Sequence, residues 1–122
     1  MNKKIILFIM LFVIGCASAP TAEELANADY GSKPENYQKI IKEFMSLTLK
    51  DPYSAQYKFE EPYKGYTQKG LIYGGGVDQY GWIVKAWING KNSYGGYTGF
   101  KAYTFIFRGD DFHVVSVPIT GY

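Results

Sequence analysis

The stretch from Gly81 to Phe107 constrains the fold more than any other part of this chain. From Trp82 to Asn89 the side chains alternate in character. Trp82, Val84, Ala86 and Ile88 share one face, and Ile83, Lys85, Trp87 and Asn89 share the other. Successive residues of a β-strand point to opposite faces, so this period of two predicts a strand. The first face is wholly apolar and is assigned to a core beneath a helix. After a glycine-rich connection the period resumes at Thr98 to Phe107, where Phe100, Ala102, Thr104 and Ile106 alternate with Lys101, Tyr103, Phe105 and Phe107. The stretch therefore reads as strand, connection, strand.

The flanking sequence supplies the rest of a small sheet. The chain holds 12 tyrosines, 8 phenylalanines and 14 glycines, and aromatic richness of this kind favours strands. Ser54 to Glu60 places Ala55, Tyr57 and Phe59 on one side, which predicts a short strand. Tyr63 to Gln68 begins another, with Leu71-Ile72-Tyr73 continuing it towards the glycines at 74–76. No Gly-Lys-Ser/Thr follows those glycines, so they read as a connection or a bulged edge and not as a phosphate loop. Arg108-Gly109-Asp110-Asp111 reads as a hairpin turn, not an adhesion tripeptide, and Phe112 to Val117 as the last strand before Pro118.

One helix is expected to cover this sheet. Ser32 is the expected cap, Pro34 suits a first turn, and Glu35 completes a capping box. Tyr37, Ile40, Ile41, Phe44, Leu47 and Thr48 then recur with helical period, while Gln38, Lys39, Lys42, Glu43 and Ser46 form the wet face. Asp51-Pro52 ends the run. The predicted fold class is α+β, with one amphipathic helix packed on a small antiparallel meander.

The amino terminus specifies a destination. Lys3 and Lys4 precede an apolar run from Ile5 to Ile14, too short to span a bilayer but suited to a signal-peptide core. Val13-Ile14-Gly15-Cys16 has the form of a bacterial lipobox. Small Gly15 gives a peptidase access to the backbone, and the Cys16 thiol is placed to take a diacylglyceryl group. Residues 1–15 are thus expected to form a lipoprotein signal peptide, 16–31 a lipidated tether with room for a short helix capped by Thr21, and 32–122 a single α+β domain. Ala17, not Asp, follows Cys16, which points to the outer membrane in a cell with two membranes. Cys16 is the one cysteine in the chain, so the sequence predicts neither disulfides nor a cysteine metal site. Cleavage would remove Lys3 and Lys4 and leave the mature part near neutral, so nucleic acid is not an expected partner.

Several runs resemble a group of small, uncharacterised bacterial lipoproteins. They are Ala28-Asp29-Tyr30-Gly31, Leu49-Lys50-Asp51-Pro52-Tyr53-Ser54-Ala55, Gly81-Trp82, and Asn89-Gly90-Lys91-Asn92-Ser93-Tyr94-Gly95-Gly96-Tyr97-Thr98-Gly99-Phe100. The resemblance extends from about Glu23 to Val117, and its most specific part is Lys-Asn-Ser-Tyr-Gly-Gly-Tyr. Many relatives in that group carry Cys-Gly where this chain has Lys85-Ala86, so any role of that cysteine is not shared. The resemblance implies an exported lipoprotein and no particular activity.

No residue set composes a catalytic centre in the sequence. His113 is the single histidine; it forms a triad with Ser93 or Ser116 only on paper, and no nucleophile elbow is present. The acid pairs Glu60-Glu61 and Asp110-Asp111 sit in turns and make poor glycosidase carboxylates. Neither catalytic residues, cofactor nor metal are expected. Three functional classes stay open. The favoured one is a non-enzymatic envelope lipoprotein that binds another envelope component or supports an assembly. The second is a glycan or peptidoglycan module stacking sugars on Tyr63, Tyr66, Tyr73, Tyr80, Tyr94 and Tyr97. The third is a hydrolase. Lys91, Asn92, Ser93, Tyr94 and Tyr97 make the candidate loop, read chiefly as a structural turn with recognition as the competing role.

Overall fold

The computed structural model describes residues 19–118; the expected signal peptide, 1–15, and the expected lipidation site Cys16 lie outside them. Helix α1 spans Ala22–Asn27, and the hydroxyl of Thr21 accepts from the Glu24 N–H at 3.1 Å. This is the cap expected of Thr21.

Helix α2 spans Tyr37–Ser46 and starts later than the sequence suggests. Asn36 holds the cap position without a side-chain bond, and Ser32 does not cap. The carbonyl of Ser32 instead accepts from the Gly109 N–H at 2.8 Å. Pro34 is buried and biases Lys33 away from helical angles, so residues 32–36 run irregularly. The far end also differs. The N–H groups of Leu47 and Thr48 turn back to Phe44 and Met45, which swings Leu47 out to 88 % exposure. Thr48 is exposed as well. Met45, absent from the expected stripe, is fully buried beside Ile41. The expected wet face from Gln38 to Ser46 is exposed throughout.

Five strands follow: β1 (Gln56–Phe59), β2 (Tyr63–Gln68), β3 (Val77–Lys91), β4 (Tyr97–Arg108) and β5 (Asp111–Ser116). The sheet order is β1-β3-β4-β5, with β2 also pairing β3. Long β3 therefore receives β2 towards its start and β1 at Ala86 to Asn89. The arrangement is antiparallel but is not a simple meander, because β2 and β3 form a hairpin while β1 reaches past it. A register shift between Asn89 and Lys91 bulges the β3–β4 ladder, and another sits opposite Thr104 and Phe105 in β5.

By contact the chain resolves into two compact units. Among the described residues, one holds 19–29 with Tyr66–Tyr80; the other holds Tyr30–Gly65 and 81–118. The sequence reads as one domain over 32–122, whereas the arm Tyr66–Tyr80 groups separately. The arm supplies contacts within itself: Tyr66 and Tyr80 pack with ring centroids 6.2 Å apart, and the Lys69 N–H donates to the Gly76 carbonyl at 2.9 Å.

The hydrophobic core lies in the second unit. Ile41 and Met45 of α2 meet Val84, Ala86 and Ile88 of β3 and Phe105 and Phe107 of β4. The β3 face is the one its alternation predicts, and the register sets Phe105 opposite Val84 and Phe107 opposite Trp82. Aromatic edges seal the rim. Phe44 meets Phe105 and Phe112 in T-shaped contacts at 6.0 and 5.4 Å, a geometry that suits the ring quadrupoles. Gly81 is buried for a steric reason: a Cβ there would stand 2.7 Å from the Phe107 carbonyl oxygen and 2.8 Å from Ile106.

Candidate functional site

Among the described residues the chain's unusual runs come together in two places. At one end of the sheet, Tyr30 and Gly31 meet Gly81-Trp82. The Trp82 indole N–H donates to the Gly31 carbonyl at 3.1 Å, Tyr30 is buried, and the Lys64 ammonium lies over both the Tyr30 and the Trp82 rings at 5.5 and 5.7 Å. Gly31 has φ of +71°, and a Cβ would stand 3.1 Å from that of Arg108. The Arg108-Gly109-Asp110-Asp111 run is a tight turn with Arg108 paired to Asp111. Its Gly109 N–H is tied to Ser32, which is no presentation of an extended tripeptide.

At the other end, the run from Lys50 to Ala55 meets the β3–β4 connection. A 3-10 turn covers Pro52–Ser54. Lys50 Nζ donates to Ser93 Oγ at 2.8 Å, and Tyr97 Oη donates to the Ser54 carbonyl at 2.8 Å. Ser54 Oγ in turn donates to Asp51 Oδ2 at 2.5 Å. That bond holds the Asp51 carboxyl below its usual range, and the Lys91 charge acts in the same direction. The Lys91 ammonium lies 5.1 Å from the Tyr97 ring centre.

The connection itself is built by two asparagines. Asn92 Oδ1 accepts from the N–H groups of Tyr94 and Gly96 at 3.0 and 3.1 Å. The Asn92 N–H donates to the Gly96 carbonyl, and the Gly95 N–H to the Asn92 carbonyl. Gly95 has φ of +80°, a conformation costly for a residue with a Cβ. Asn89 stitches the bulge below. It is 8 % exposed, its Oδ1 accepts from the Gly99 N–H at 2.9 Å, and its Nδ2 donates to Gln56 Oε1 at 3.1 Å. Thr98 Oγ1 closes the neighbouring gap by donating to the Gly90 carbonyl.

Lys91, Asn92, Ser93 and Tyr97 are thus occupied with structure, and Tyr94 is not. Tyr94 is 97 % exposed, and Tyr53 in the bracing 3-10 turn is fully exposed. The assembly is a rigid turn, fixed by two chain segments, that holds two tyrosine rings in water. Asn89 and Tyr53 are its unforeseen members. The clue to Asn89 was a polar side chain on a strand face; Tyr53 lay within the run Leu49 to Ala55 and had no visible partner.

The other proposed chemistry does not gather here. His113 pairs with Ile106 on β4, and about 30 Å of strand at ~3.3 Å per residue separates Ile106 from Tyr97 beside the Ser93 turn. Ser93 faces the water-exposed Lys50 instead. Ser116 shares β5 with His113, and no hydrogen bond joins their side chains among the described residues. Of the six tyrosines suggested for sugar stacking, Tyr66 and Tyr80 cover each other, Tyr97 is tied down, and Tyr63, Tyr73 and Tyr94 are exposed. Among the described residues, no three His, Cys, Asp or Glu gather as metal ligands, and no helix is long and apolar enough to cross a membrane. No family model matches the chain, and neither a curated protein nor a solved structure matches it.

Proposed function

We propose that this chain is a lipid-anchored, non-enzymatic protein of the bacterial envelope that holds another envelope component through the turn bearing Tyr53 and Tyr94. The lipobox ending at Cys16 supports the anchor, and Ala17 after it supports the outer membrane as destination. The resemblance to small bacterial lipoproteins points the same way.

The binding reading rests on one observation. Side-chain bonds from Lys50, Asn89, Asn92 and Tyr97 brace the β3–β4 turn against the 3-10 turn, and each presents one tyrosine ring, Tyr94 and Tyr53, that is 97 % or more exposed. An exposed aromatic on a rigid support loses little side-chain entropy on binding, and tyrosine offers both an apolar face and a hydroxyl. Exposed tyrosines of this kind serve protein partners and sugars alike.

The test is a pull-down from cells with Tyr53→Ala and Tyr94→Ala, set beside sedimentation with purified sacculi. A protein that co-purifies with the wild type and is lost from both variants supports a protein partner. Sedimentation with sacculi, lost in the same variants, supports the glycan reading. Unchanged behaviour of both variants in both assays contradicts the proposal.

A further inference from the structure

The tip of the β2–β3 hairpin is unlike the rest of the surface. Leu71, Ile72 and Tyr73 form one 3-10 turn, and they are 88 %, 93 % and 80 % exposed. The sequence reads these residues as a continuation of β2; the chain instead turns at Gly70 and projects them. Scattered exposed apolar residues are ordinary, but three in succession at a protruding tip are not. Gly74, Gly75 and Gly76 all have positive φ, at +93°, +67° and +78°, and Cβ atoms at Gly74 and Gly76 would meet nothing within 4 Å. The glycines are therefore not there for close packing. They return the chain in a path that leaves the three side chains splayed.

The backbone of this tip is satisfied internally in part. The Tyr73 and Gly75 N–H groups donate to the Gly70 carbonyl at 2.9 and 3.3 Å, the Gly74 N–H donates to Leu71 at 3.1 Å, and the Lys69 N–H donates to Gly76 at 2.9 Å. The Leu71 and Ile72 N–H groups and the Ile72 and Tyr73 carbonyls have no internal partner among the described residues, which suits the tip to the hydrated headgroup layer and not to the hydrocarbon core, where peptide groups must bring their own partners. Lys69 sits at the base, where an ammonium favours anionic headgroups. We propose that Leu71, Ile72 and Tyr73 dip into the surface of the membrane that holds the lipid anchor.

The occupant follows from the tether. This inference rests on the lipidation of Cys16 proposed above. From Cys16 to Ala22 the chain spans at most about 20 Å fully extended, so α1 begins close to the bilayer surface. Of the described residues, 19–29, which lead from the tether, group with the tip's arm, Tyr66–Tyr80, in one compact unit. A tip of one turn matches the ~5–10 Å depth at which interfacial apolar groups settle. Its role is orientation: the acyl chains retain the protein, and the second contact fixes which side faces outward.

The experiment uses the full acylated chain in phosphatidylglycerol–phosphatidylethanolamine vesicles, with an environment-sensitive dye on Tyr73→Cys or, as control, on Lys39→Cys of the wet helix face. Acylation leaves no other free thiol. Nitroxide-labelled acyl chains are expected to quench the Tyr73 dye at least threefold more than the Lys39 dye. Adding Leu71→Asp and Ile72→Asp should abolish that difference, with the protein still in the vesicle fraction and the circular dichroism unchanged. Equal quenching at the two positions, on a chain whose mass shows acylated Cys16, overturns the tip and spares the anchor. Crosslinking of two copies through position 73 without quenching overturns it as well. If the mass shows a free Cys16 thiol, the anchor reading falls. The unanchored chain, with Cys16→Ser added so that position 73 carries the one thiol, then tests the tip directly: quenching at Tyr73 on adding vesicles supports it, and no change overturns it.

Discussion

Asn89 and Asn92 stand three positions apart and stabilise the same turn by different means. Asn89 is buried, and its loss strands the Gly99 N–H and the Gln56 side chain. Asn89→Ala should therefore lower stability by about 1–2 kcal/mol in a denaturant titration, the net worth of two lost hydrogen bonds whose remaining partners, Gly99 and Gln56, are exposed. Asn92 is exposed, and water can replace what its side chain gives; Asn92→Ala should cost about 1 kcal/mol. Gly95→Val should cost about 2 kcal/mol through positive φ alone, because a Cβ there meets nothing within 4 Å. Burial raises the phenol pKa values of Tyr57 and Tyr103, and in Tyr57 the neighbouring Tyr103 adds to it. A raised folded value means that the stability these groups contribute is present below the ordinary tyrosine pKa of about 10 and is lost as pH climbs through the raised values. Melting curves should fall above about pH 10, and Tyr57→Phe should soften that fall.

The elements divide according to how their residues announce themselves. The alternation of β3 and β4 is legible because each face has one environment along its whole length. Helix α2 is legible in its middle and not at its ends, since Ser32 and Leu47 answer to neighbours far away in sequence. Ser32 gives its carbonyl to Gly109, and Leu47 is turned out by the three bonds that close the helix. Met45→Ala should cost about 3 kcal/mol, against about 2 kcal/mol for the partly exposed Phe44→Ala, both read from chemical denaturation. The reason for Gly81 is legible only in three dimensions. Gly81→Ala sets a Cβ against the Phe107 carbonyl oxygen, which is backbone and does not yield like a side chain. It should cost about 2 kcal/mol, and an unchanged midpoint would show that the sheet shifts freely there. The site was half legible. The turn role of Lys91 to Tyr97 follows from its residue types, but the bracing by Lys50 and Ser54 joins segments some forty residues apart, with a |i−j| of 43 in both bonds.

At the scale of the whole molecule, the account joins an anchor to a presenting surface. Cys16 would hold the chain at the membrane, and the turn built from the runs around Asp51 and Asn92 would carry Tyr53 and Tyr94 to a partner. Cys16→Ser should leave an unprocessed precursor without incorporated lipid, read by intact mass and by labelled-palmitate incorporation. The most direct test of the binding claim is photo-crosslinking in living cells, with a benzophenone amino acid at Tyr94 and, as control, at Lys39 on the wet face of α2. The account predicts one dominant adduct from Tyr94, absent from Lys39, and lost when Gly95→Val disturbs the turn while lipid incorporation at Cys16 is unchanged. No adduct at Tyr94, or the same adducts from both positions, would contradict it.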